Sequence, residues 1–86
     1  MNVRERLEMI GRRHGWTAHY TGYQTNQGLT LRRRGETVQI DTDKYRGRII
    51  RAVRTRPFDY GLYLIVAEVG PGDPQKLRQV TRMVER

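Results

Sequence analysis

Apolar positions recur with a helical period at the two ends of the chain and with a period of two between them. In residues 2–14, Val3, Leu7 and Ile10 fall at i, i+4 and i+7, which predicts a helix. Asn2 is placed to cap it, and Glu5, three residues on, completes an approximate capping box. Arg12, Arg13 and His14 suit the carbonyl end and Gly15 the left-handed stop, whereas Gly11 weakens the helix by up to ~1 kcal/mol relative to alanine.

From Trp16 the alternation begins. Trp16, Ala18 and Tyr20 share one face, and Thr17, His19, Thr21 and Tyr23 the other. Residues 24–28 (QTNQG) are turn material. Leu29 and Leu31 then alternate with Thr30, Arg32 and Arg34, and Gly35 permits a tight turn into residues 37–42, where Val38 and Ile40 alternate with Gln39 and Asp41. Residues 44–56 fit two elements. A helix capped by Asp43 would align Tyr45, Ile49, Ala52 and Val53; a strand over 46–55 would enter through a turn at Gly47, and Gly47 with the Ile49-Ile50 pair favours it. Residues 62–69 (LYLIVAEV), bounded by Gly61 and Gly70, favour a well-covered strand over a short buried helix. After the Gly70-Pro71-Gly72 break, Asp73 as N-cap and Pro74 at the first helical position introduce a second helix. It carries Leu77, Val80 and Val84 on one side and Arg78, Arg82 and Arg86 on the other.

The expected architecture is a single α+β domain over residues 1–86: an antiparallel β-meander of three to five strands, with the N- and C-terminal helices packed on one face. Two helices cover one face only, so the other is left to water or a partner. It would carry Thr17, His19, Thr21, Tyr23, Thr30, Arg32, Arg34, Gln39 and Asp41.

Composition narrows the chemistry. The 86 residues hold no cysteine, which excludes disulfides, thiolate metal sites and cysteine nucleophiles, and they hold no serine either. The first fifteen residues carry charges at positions 4, 5, 6 and 8, so no secretory apolar stretch is expected there. The longest apolar run, 62–67, is far below the ~20 residues of a membrane span, and a cytoplasmic protein is expected. No cofactor motif is present. Asp41 and Asp43 lie two apart and have no further acidic partner for a cation. His19 is the one group placed for acid–base work on a phosphodiester, and a surface histidine on a strand is the plainer reading.

Charge carries the remaining signal. Seventeen Lys and Arg against nine Asp and Glu give +8. Fifteen Arg against two Lys has two readings, the bidentate fit of the guanidinium to phosphate and the codon usage of a GC-rich genome, but codon usage would not explain the excess of bases over acids. The excess is uneven: +2 over residues 1–14, +6 over 15–56, −3 over 57–73 and +3 over 74–86. The dense clusters are Arg32-Arg33-Arg34 and the acid-free tract of Lys44, Arg46, Arg48, Arg51, Arg54 and Arg56. These are the expected phosphate contacts, since neutralising a nucleic-acid backbone needs density of cations and no set spacing. Tyr23, Tyr45 and Phe58 are the rings placed for base stacking, while Trp16, Tyr20 and Tyr63 are assigned to the core.

The stretches RRHGWTAHYTGYQ, GLTLRRRGETVQID and GRIIRAV, over about residues 4–53, resemble the small Arg-rich accessory proteins encoded by bacteriophages of actinobacteria. That resemblance implies a role in host takeover or nucleic-acid transactions and assigns no residue. The helix, Gly-Trp and three strands are also similar to HicA-type toxin ribonucleases. Their catalytic histidine lies in a Gly-Ser-His stretch, and the equivalent TGYQTNQG here has neither Ser nor His. The expectation is thus a non-enzymatic protein that binds a polyanion, nucleic acid first, with a host-protein interaction module as the alternative and a HicA-like ribonuclease using His19 as the third reading.

Overall fold

The computed structural model describes residues 1–22 and 26–86. Five antiparallel strands follow one another as neighbours in a single sheet: β1 (Thr17–Gly22), β2 (Asn26–Arg33), β3 (Glu36–Asp43), β4 (Ile49–Pro57) and β5 (Tyr63–Val69). Helices α1 (Val3–Arg13) and α2 (Lys76–Glu85) cover one face, α1 over β1 and β2 and α2 over β4 and β5. The α+β meander is therefore as expected, and residues 49–57 form a strand and not a helix.

Each helix follows from local chemistry. Asn2 Oδ1 accepts the Glu5 amide at 2.8 Å, which satisfies one of the four orphan donors of α1. At the other end Gly15 takes φ +85°, and the Gly15 and Trp16 amides donate back to the Arg12 and Gly11 carbonyls, a Schellman closure. This closure delivers Trp16 directly under the helices. Its ring is buried and its Nε1–H donates to the Val84 carbonyl of α2 at 2.9 Å, tying the two ends of the chain together. The second helix starts later than its sequence suggests. Asp73 Oδ2 accepts the Gly70 amide and so closes the preceding turn; the N-cap is Gln75, in the left-handed region.

Burial follows the alternation. Leu29, Leu31, Val38, Ile40, Ala52 and Val69 from the sheet meet Leu7 of α1 and Val80, Met83 and Val84 of α2, with Trp16 at the seam. Val3, Ile10 and Leu77 pack around that cluster. The sheet pairing places Thr17, His19, Thr30, Arg32, Thr37, Gln39 and Asp41 on the face away from the helices. There Thr30 bonds Gln39, whose Nε2 donates to Asp41 at 3.1 Å.

Residues 62–69 depart from expectation. They form an edge strand, and only Val69 is buried; Tyr63, Leu64, Ile65 and Val66 face solvent. The assignment of Tyr63 to the core is thereby corrected, since its side chain is 68% exposed. Tyr20 is half-exposed, its hydroxyl bonded to Glu8 of α1 and its ring beneath the Arg4 guanidinium. The Tyr20 hydroxyl is pushed up to about 12 by burial first and by the bond to Glu8 second. That same bond, with Arg12 behind it, holds the Glu8 carboxyl below its ordinary range.

Candidate nucleic-acid interface

The meander separates the two basic clusters. In consecutive hairpins, turns alternate between the ends of the sheet, and an eight-residue strand such as β3 spans ~27 Å. The Arg34-Gly35 turn lies at one end. Lys44 and Arg46 lie in the turn at the other, and Arg48 just before β4 at that same end. The tract 44–56 runs the length of β4 and returns Arg54 and Arg56 to the Arg32–Arg34 end. The tract 44–56 is thus divided between the two ends of the sheet.

The Arg32–Arg34 end is concave. A cleft of roughly 940 Å³ wraps around it, between the C-terminal ends of α1 and α2, the β2–β3 turn and the start of β5. Its walls carry Arg32, Arg33, Arg34, Arg54 and Arg86 against one carboxylate, Glu36, with His14, Thr17, Thr37 and Tyr63 completing the lining. The turn itself is built for this. Arg34 and Gly35 take φ +51° and +80°, the two positive values of a tight hairpin turn that matches sheet twist, and Arg33 pairs with Glu36 across it.

The five arginines divide by what they already hold. Arg54, its side chain 11% exposed, donates from Nε and Nη2 to Glu36 Oε1 at 3.1 and 2.9 Å and from Nη1 to the Met83 carbonyl at 2.6 Å. Arg33 donates to the His14 carbonyl at 2.7 Å and lies 4.2 Å over the Trp16 ring, with Arg54 5.3 Å from the same ring. Both guanidiniums are therefore committed to carbonyls at helix C-termini, where the macrodipole is negative and would otherwise oppose an anion. Arg32, Arg34 and Arg86 are exposed, and their side chains hold no partner among the described residues.

The other predicted contacts fall elsewhere. Arg51 is on the face away from the helices and pairs with Glu68 at 3.5 Å, an exposed pair of small energetic weight. Arg56 is exposed at the end of β4, opposite Leu64. Lys44 and Arg46 border a smaller hollow with Asn2, Val3 and Arg4, and Arg48 adjoins Lys76 and Leu77. Tyr45 is exposed at that far end and Phe58 near the cleft end; Tyr23 lies outside the described residues.

The linear reading missed His14, Tyr63 and Arg86. The stripe of Arg78, Arg82 and Arg86 was legible, but only the Trp16–Val84 bond fixes the end of α2 beside the β2–β3 turn. Among the described residues no cluster of three or more His, Asp or Glu could hold a metal, and no helix is long and apolar enough to cross a membrane. Asp43 accepts the Tyr45 amide within its own turn, and Asp41 is engaged by Gln39. No known protein family, curated protein or solved structure matches the chain.

Proposed function

We propose that the chain is a non-enzymatic nucleic-acid-binding protein, working in the cytoplasm, that takes the phosphates of a single strand into the cleft at the Arg34-Gly35 end of the sheet. The observation that carries this reading is the presence of three guanidiniums without side-chain partners, Arg32, Arg34 and Arg86, around one concavity that also contains a largely exposed aromatic ring, Tyr63. Guanidinium forks match phosphate oxygens, and a ring beside them gives a base a face on which to stack. The cleft's size is that of a small-ligand site and suits a few nucleotides of flexible strand.

Arg34 adds support of a different kind. A non-glycine residue at positive φ costs of order 1 kcal/mol, and asparagine or glycine would fill the same turn more cheaply. The arginine there places its charge at the cleft mouth.

Titration of the ¹⁵N-labelled protein with an oligothymidylate or oligouridylate at low salt tests the reading. Expected shifts cluster at residues 14–17, 32–37, 63 and 86. Shifts confined to the 44–48 turn, or none at low salt, would overturn it.

A further inference from the structure

We infer that β5 is a homodimerisation strand, which pairs antiparallel with β5 of a second copy of this chain about a two-fold axis at Leu64. The inference shares Tyr63 with the nucleic-acid reading but does not rest on that reading.

An edge strand presents a row of unpaired backbone N–H and C=O groups, and folded proteins normally blunt such an edge with charge, proline or cover. The two edges of this sheet differ. The β1 edge is polar, Thr17, His19 and Thr21 alternating with Ala18 and with Tyr20, which is tied to α1 through Glu8 and Arg4. The β5 edge carries Tyr63, Leu64, Ile65 and Val66 in succession, with no charge from Tyr60 to Ala67.

Exposure on this edge is large for a chain of this size. Phe58, Tyr60, Leu62 and the four residues of β5 leave between two fifths and nearly all of their surface in water. At about 200 Å² for a fully exposed side chain of this size, the group presents on the order of 800 Å². Spread over both faces of β5 and the preceding turn, this total is close to the roughly 800 Å² that one partner contributes to a stable interface. Tyr60 reinforces the point: it is 97% exposed and sits at φ +64°, a strained conformation for a bulky residue and one that leaves its ring outside any contact within the monomer.

Two features select a second copy as the occupant. The strand is uncharged from Tyr60 to Ala67, so its pairing with the same strand of a second copy sets no like charges opposite one another. Only one edge is both open and apolar, so pairing it with itself closes a two-fold dimer, whereas a second such edge would propagate a fibre. The register follows from the faces. Tyr63 and Ile65 share the face away from the helices, Leu64 lies on the helix side, and a bulge at Val66 breaks the alternation. Centring the pair on Leu64 sets Tyr63 against Ile65 of the second copy, twice, and Leu64 against itself. Such aromatic and β-branched cross-strand pairs stabilise sheets. Because Tyr63 also lines the arginine cleft, the two clefts of the dimer adjoin the same seam.

Sedimentation velocity over a concentration series from micromolar to submillimolar, without nucleic acid, tests the inference. The wild-type chain is expected to reach twice 10.2 kDa and no more. Ile65→Lys, at an exposed position, is expected to remain monomeric with an unchanged circular dichroism spectrum; Val66→Glu on the same edge serves if Ile65→Lys does not fold. The chain has no cysteine, so Leu64→Cys supplies a single thiol, expected to form a disulfide-linked dimer on mild oxidation. A wild-type monomer throughout, assemblies growing beyond the dimer, or a dimer that survives Ile65→Lys would each overturn it, as would a monomer that accepts an extended peptide on β5 in place of its own copy.

Discussion

Arg54→Met separates the arginines that hold this fold from those available to a ligand. Arg54 makes two bonds to Glu36 and one to the Met83 carbonyl, with its side chain almost fully removed from water. Methionine replaces the apolar stem but leaves the Glu36 carboxylate and a helix-terminal carbonyl without their donor. Breaking a fully buried ion pair from one side costs about 3–5 kcal/mol. Glu36 is a quarter exposed, so water restores part of its solvation, and we expect a loss of about 2–3 kcal/mol. For a domain of this length that lowers Tm by about 10–20 °C. Urea denaturation should show a lower midpoint with an unchanged m-value. Adding Glu36→Gln to Arg54→Met should recover part of the loss, because the stranded charge is then gone. Arg32→Ala, by contrast, should stay within about 0.5 kcal/mol of wild type, as an exposed substitution without a partner. An Arg54→Met protein as stable as wild type would refute the division between structural and available arginines.

The turn residue should show opposite effects on stability and binding: Arg34→Asn, better suited to φ +51°, is expected to raise the unfolding free energy by about 0.5–1 kcal/mol while weakening oligonucleotide affinity, measured by denaturation and fluorescence anisotropy together. Gly11 is a packing position, since an added Cβ would lie 3.1 Å from both Leu31 methyl carbons; Gly11→Val should cost about 1–3 kcal/mol, and a smaller loss in urea titration would count against that close approach. The Tyr20 hydroxyl, raised from 10.0 to about 12 in the folded chain, binds its proton more tightly there than in the unfolded chain. Its contribution is therefore fully present below pH 10 and lost as pH rises towards 12, so the stability difference between wild type and Tyr20→Phe should shrink across that window; a difference that stays constant would contradict a hydroxyl raised by burial and by the bond to Glu8.

Much of the fold was legible because alternation is a direct record of which residues face the helices. Leu29, Leu31, Val38 and Ile40 occupy the buried side and Thr30, Arg32, Gln39 and Asp41 the other, as their period of two requires. Gly47, at φ +66°, entered β4 as a turn residue, in keeping with the strand reading of that tract. The run LYLIVAEV was less informative, because a covered central strand and an apolar edge strand share one composition. What decides between them is the reach of α2, which buries Val69 and leaves Tyr63 to Val66 uncovered. Asp73-Pro74 has the sequence of a helix start, yet the Asp73 carboxylate is captured by the Gly70 amide and the helix begins at Lys76. At the candidate site, charge density singled out Arg32–Arg34, which line the cleft. It could not tell Arg54, locked onto Glu36, from Arg34, nor bring in Arg86 from fifty residues away, since both depend on where Trp16 anchors α2.

The salt dependence of binding, measured on wild type and on the Arg32→Ala/Arg34→Ala/Arg86→Ala variant, tests the cleft most directly. For a single strand the slope of log K against log salt is about −0.7 per phosphate neutralised, so removing three contacts should make it shallower by about 2 and weaken binding at low salt. The variant should unfold at the wild-type temperature, because none of the three side chains holds a partner among the described residues. Parallel salt plots for the two proteins, or no binding by wild type at low salt, would contradict a phosphate-binding cleft at this end of the sheet.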